Sequence, residues 1–166
     1  MIKMKFSKFM KQKYNTRGEW HELYVLKGEA RVLYIGISKV NIWWRWFGAP
    51  SSHLYWDADD KLCFSSSVGK AVVKCSPDSM NWMIELWTAE DCIKFLRPEI
   101  KDQAEENHCR RDIHFAESLM IKKLKPVLNI AGSAFRYDAL PEKIKRYVLE
   151  DEEKAFRLYY QMFDSK

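Results

Sequence analysis

Tyr24 and Tyr34, ten positions apart in two apolar runs, and the cations that follow them, Lys39 and Arg45, are residue types that can move a proton or hold an anion. A phenol with an ordinary pKa near ~10 is a weak base at neutral pH. It works as one only where nearby cations favour the phenolate or where it passes its proton onward. Lys39 and Arg45 supply positive charge, and a guanidinium stays charged while engaging two anionic oxygens at once. Further along, His114 and Glu117 are three apart in a helical pattern, so they share a face and can enter one cleft. His53 and His114 are supporting candidates, and His21 stands beside the first tyrosine segment; surface or packing roles are the default for single histidines.

Those side chains need elements to hold them. Residues 22–39 hold two β-branched and aromatic runs around a Lys-Gly-Glu-Ala turn, which predicts a β-hairpin with Gly28 in the turn. Both runs are apolar at nearly every position, as suits strands covered on both faces. Such a hairpin brings Tyr24 and Tyr34 near each other. Asn41 predicts an N-cap for a short helix over 42–47 that carries Arg45 and stops at Gly48-Ala49-Pro50. Its tryptophans are either core packing or, at Trp44 and Trp46, an aromatic surface for unstacked bases.

The rest of the chain predicts mostly helix. Met4, Phe6, Phe9, Met10 and Tyr14 among lysines predict an amphipathic helix in 1–18, ended by Gly18. Residues 51–81 are irregular, with loops at 57–60 and 65–67 and a short helix or strand at 68–74; such a segment is suited to shaping substrate choice. A third strand is predicted at 82–87, then a helix capped by Thr88 that stops before Pro98. A long helical pattern over 99–124 has Ile113, Ala116, Leu119, Met120 and Leu124 as its core stripe, with Glu117 beside it, and Pro126 ends it. A last helical pattern covers 141–164.

Glu22-Leu23-Tyr24, Tyr34-Ile35-Gly36, Arg45, Glu117 and Asn129, in that order, resemble the GIY-YIG nuclease superfamily. The second tripeptide is intact, and the first keeps its tyrosine with Glu22 in place of glycine. The segment Ala116-Glu-Ser-Leu-Met-Ile-Lys-Lys-Leu-Lys-Pro-Val-Leu-Asn129 is similar to the family's closing glutamate, Lys-Pro and Leu-Asn segment. The resemblance spans roughly 20–131, with residues 1–18 as a basic arm and 141–164 as a helical addition to one domain.

The resemblance implies an α/β (α+β) fold with a small central three-stranded antiparallel sheet flanked by helices. It also implies a metal-dependent endonuclease that hydrolyses DNA phosphodiester bonds. Tyr24 and Tyr34 would be the base and its partner, in either order, with Lys39 assisting and Arg45 holding phosphate. Glu117 would bind Mg²⁺ (or Mn²⁺), which keeps much of its water, and Asn129 would support the site by hydrogen bonding. The tyrosine pair, Arg45 and Glu117 are then expected in one pocket. A restriction-type, structure-selective or phage or mobile-element enzyme all fit. The lost first glycine also admits a decayed nucleic-acid-binding module, and an RNA-directed nuclease is a further alternative.

Composition sets wider bounds. A chain of 166 residues is about one domain, long enough to bury a core unaided, as monomer or homodimer. No apolar run approaches the ~18 residues that cross a bilayer, and lysines break the opening stretch, so no membrane association and a cytoplasmic location are expected. Four cysteines form no Cys-x-x-Cys pair, which predicts reduced thiols rather than structural zinc. The net charge is +5, and residues 1–17 contain Lys3, Lys5, Lys8, Lys11, Lys13 and Arg17 without an acid. That arm is either a phosphate footprint or a solvated helix face, and Lys3, Lys5, Lys8 and Lys11 are its nucleic-acid-binding candidates.

Overall fold

The computed structural model describes residues 1–11, 21–29, 31–48 and 52–129. The end of the predicted N-terminal helix at Gly18, the stop at Ala49-Pro50 and the 141–164 helix lie outside them.

The hairpin forms as expected from Leu23–Lys27 (β2) and Val32–Ile37 (β3). The register sets Tyr24 opposite Gly36 and Leu26 opposite Tyr34, with an irregularity at Leu26/Lys27. Because side chains alternate between faces, both tyrosines stand on one side. Met83–Trp87 (β6) pairs with the other edge of β2.

Among the described residues the sheet has four strands where three are expected. Ile2–Lys5 (β1) pairs antiparallel with β6, giving the order β1-β6-β2-β3. The chain start is expected to be helical, and within the described residues 1–11 the helix is Phe6–Lys11 (α1). Ile2 and Met4 turn toward the core on alternate positions while Lys3 and Lys5 point away, which is a strand's period of two. Lys3 lies on the second face beside Glu85, which is almost fully buried; Lys3 Nζ and Lys27 Nζ approach its carboxylate at 2.8 and 2.9 Å.

Each face of the sheet carries its own core. The first holds Met4, Tyr24, Leu26, Ile84 and Leu86. It is covered by α1, by Ile42–Phe47 (α2), by a ribbon of Leu54–Trp56 (β4) with Leu62–Phe64 (β5), and by Ser67–Lys74 (α3). The segment of uncertain type at 68–74 is thus helical, and the 57–60 loop is the ribbon's turn.

The second face, with Leu23, Val25, Ile35 and Trp87, is covered by Ala89–Leu96 (α4), Gln103–Arg111 (α5) and Ile113–Leu124 (α6). Thr88 makes a full capping box with Asp91, and α4 ends before Pro98. The single long helix expected over 99–124 is two. Asp112 ends α5 in extended backbone and caps α6, its carboxylate accepting from the His114 N–H. An aspartate satisfies helix ends better than helix interiors, so it breaks the pattern.

After α6 the chain passes along the outer edge of β3. Val127 and Leu128 donate their N–H groups to the Val32 and Leu33 carbonyls. The Asn129 carboxamide then accepts from Ile35 N–H at 2.7 Å and donates to the Ile35 carbonyl at 2.6 Å. All four cysteines are free, and Cys75, Cys92 and Cys109 are buried. Among the described residues no helix is long and apolar enough to cross a membrane.

Candidate active site

The two tyrosine rings lie 6.1 Å apart between centroids on the first face. Gly36 makes that possible. A Cβ there would stand 2.5 Å from the Tyr24 hydroxyl oxygen and 2.8 Å from the Tyr34 ring, closer than real Cβ atoms come. Position 22, where the family pattern has its other glycine, is half-buried at the start of β2; its backbone pairs with Trp87 and Ser38.

α2 brings Arg45 to the pair. Asn41 starts this helix by accepting the Trp43 N–H at 2.8 Å. The positive charge of Arg45 acts on both tyrosines, and the two phenol rings lie side by side. His53, just before β4, completes the cluster: its Nε2 is 2.6 Å from the Tyr24 hydroxyl and its Nδ1 is 2.8 Å from Ser66 Oγ. Ser66 is also the N-cap of α3, accepting the Gly69 N–H at 3.1 Å. Gly69 lets α3 come this close, since a Cβ there would collide with the His53 carbonyl oxygen.

Glu117 comes from α6, whose core stripe packs on the second face and which runs along β3, the sheet's edge strand. Its charge is felt across that edge by both tyrosines. Burial pushes Tyr34 above the ordinary phenol value, Glu117 pushes it further, and Arg45 opposes them. Tyr24 is raised well above the ordinary value, chiefly by burial, then by Tyr34 and Glu117, against Arg45. Burial and Arg45 lower His53 to about 3, so its imidazole is neutral. Burial raises Glu117, with His114 Nδ1 at 3.9 Å opposing.

These directions decide the chemistry. In the free site both phenols are held protonated, so a tyrosine here accepts a proton only as it passes its own onward. Tyr24 is 1% exposed and Tyr34 is half-buried, so Tyr34 is the member of the pair nearer the outside.

Glu117 is the carboxylate that could hold a divalent cation. Its carboxylate is partly desolvated and raised by burial, so a bound positive charge would relieve it. Among the described residues there is no group of three or more His, Cys, Asp or Glu able to hold a metal. A single carboxylate completed by water suits Mg²⁺ or Mn²⁺ rather than zinc.

Other candidates stand apart. Lys39 is exposed in the bend after β3 and joins none of the cluster's described hydrogen bonds. Asn129 acts through the backbone of Ile35, between Tyr34 and Gly36. Trp46 is fully buried and cannot receive a base; it walls the pocket, with ring centroids 4.8 Å from His53 and 5.7 Å from Tyr24. Trp44 is 52% exposed and remains available for stacking, as does Trp56, stacked on Phe47 at 5.5 Å. Lys3 is bonded to Glu85 and Lys5 donates to Asn81 Oδ1 at 3.3 Å, while Lys8 and Lys11 are exposed on α1.

Ser66 went unforeseen. A serine before Ser-Val-Gly-Lys is an N-cap signature within what reads as loop, but nothing in the sequence ties it to His53. Comparison of the chain with protein-family models, curated proteins and solved structures gives no match.

Proposed function

We propose that the protein is a metal-dependent endonuclease that hydrolyses DNA phosphodiester bonds at a site of the GIY-YIG type. One observation carries this reading: Tyr24 is hydrogen-bonded to His53 with the Tyr34 ring against both, and Arg45 and Glu117 act on the two tyrosines by charge, although these residues come from separate elements. Hydrolysis needs an acceptor for the proton of water, positive charge on the phosphate oxygens and stabilisation of the leaving oxygen. Tyr34, the more accessible phenol, takes the proton of the attacking water. Tyr24 and His53 receive the displaced proton, and Arg45 holds the phosphate. Glu117 would hold Mg²⁺ or Mn²⁺, which when bound supplies Lewis-acid stabilisation of developing negative charge.

The test is incubation of pure protein with plasmid, single-stranded, branched and RNA substrates, with Mg²⁺ or with chelator. Metal-dependent cleavage of DNA that is lost in Tyr34→Phe is expected. Cleavage confined to RNA would move the substrate and keep the chemistry. If the wild-type protein cut none of these, the enzyme reading would be abandoned.

A further inference from the structure

The Tyr24 hydroxyl, beside the Tyr34 ring, is hydrogen-bonded to a histidine with two nitrogens, and the sense of a proton chain from Tyr34 through Tyr24 depends on which nitrogen carries the proton. If Nε2 accepts, Tyr24 must donate to it, which leaves the Tyr24 oxygen to accept from Tyr34. The Tyr34 hydrogen then points inward and its lone pair outward. If Nε2 instead carries the proton, every donor in the chain reverses, and Tyr34 presents a hydrogen where a base needs a lone pair.

We infer that Ser66 is a positioning residue that holds His53 as the Nδ1–H tautomer and so sets the hydrogen-bond chain in the inward, proton-accepting sense. The distances favour it. The Tyr24–Nε2 separation of 2.6 Å is in the range of O–H donors and shorter than usual for N–H donors, whereas 2.8 Å between Nδ1 and Ser66 Oγ is ordinary for N–H···O. The chemistry agrees, since between neutral partners the more acidic phenol donates to imidazole. Ser66 can accept both the Gly69 N–H and the His53 Nδ1–H on its two lone pairs, and it is half-buried, so its own hydrogen can turn to solvent. Tyr24 and His53 are both almost fully buried, so water does not scramble this end of the chain.

The role of this sense in catalysis rests on the nuclease reading above. A proton taken from water at Tyr34 displaces the Tyr34 proton to Tyr24 and the Tyr24 proton to His53 Nε2, leaving hydroxide for attack on phosphorus. The imidazolium so formed is disfavoured by its surroundings. Once the bond is cut it returns the proton outward along the same chain to solvent, and the leaving oxygen takes its proton from a water on its own side of the phosphate, so none is gained or lost.

The test uses Ser66→Gly, which keeps a competent N-cap but removes the hydroxyl, and Ser66→Thr, which restores it. The His53 tautomer is read from ¹⁵N chemical shifts, independently of activity, and kcat and KM are measured on a DNA substrate. We expect Nδ1–H in the wild type and an admixture of Nε2–H in Ser66→Gly. We expect kcat to fall by about tenfold or more with KM nearly unchanged, and recovery of both readouts in Ser66→Thr. Nε2–H in the wild type, or a tautomer or kcat unmoved by Ser66→Gly, would overturn the inference. A tautomer that moves as expected in a protein that cuts no nucleic acid supports the control of His53 by Ser66 and rejects the nuclease reading instead.

Discussion

The charge of Glu117 raises both phenols of the tyrosine pair, and two measurable effects of removing it follow. Glu117→Gln keeps the shape but not the charge that would hold a divalent cation, so cleavage should fall by orders of magnitude while DNA binding survives. The same change removes a cause that raises Tyr34, so spectrophotometric titration should find the Tyr34 pKa lowered. An unmoved titration would mean that the two side chains are not electrostatically coupled. Gly36→Ala tests the pair sterically, because the added carbon must displace a tyrosine ring; cleavage should be lost although no polar atom is removed. Much of this was legible from residue order, since a period of two puts Tyr24 and Tyr34 on one face once the hairpin is recognised. The hydrogen bond between His53 and Tyr24 was not, because it spans 29 positions and depends on the path of an irregular insertion.

At the scale of elements, the chain start divides into two parts with different work. Lys3 on β1 neutralises buried Glu85, so Lys3→Gln should lower stability, by about 1 kcal/mol in a denaturant titration, and leave the salt dependence of DNA binding alone. Neutralising the exposed Lys8 and Lys11 on α1 should leave stability alone and flatten the salt dependence, by up to ~0.9 in log–log slope for each DNA phosphate that the lysines no longer neutralise. An unchanged slope would leave α1 as packing alone. The caps at Asn41 and Thr88 were readable because capping chemistry is local. β1 was missed because four residues of alternation are outweighed by the apolar spacing that continues into α1. The break at Asp112 was missed because the stripe resumes in helical phase after one capping residue.

Across the whole molecule, the sheet separates two cores, and the buried ionisable groups set its response to acid. His53 stays neutral in the folded state down to about pH 3, whereas its ordinary value is 6.5. Between those values the unfolded chain takes up a proton that the folded one refuses, so stability falls as pH drops through that window. Burial raises Glu85, but Lys3 and Lys27 outweigh it and hold it below the ordinary carboxylate range. Its contribution is present above that range and is lost as pH falls through the lowered value. Glu117, raised by burial, works in the opposite direction and gains on acidification. Urea titrations between pH 7 and pH 5 should therefore show stability falling with acid, and His53→Gln should flatten that slope; an equal slope in the variant would reject a neutral buried imidazole.

The Asn129 side chain also has a consequence for observation. It occupies the hydrogen-bonding edge of Ile35 as a neighbouring strand would, and the Ile35 N–H has its acceptor in Asn129 Oδ1, far along the chain. The deuterium uptake of that one amide therefore reports whether the passage after α6 is seated against the strand that carries Tyr34. In Asn129→Ala the Ile35 amide should exchange markedly faster while Val25, on the interior strand and paired with Glu85 of β6, keeps its rate. A single backbone proton thus serves as an internal gauge of site assembly, readable without substrate, metal or turnover.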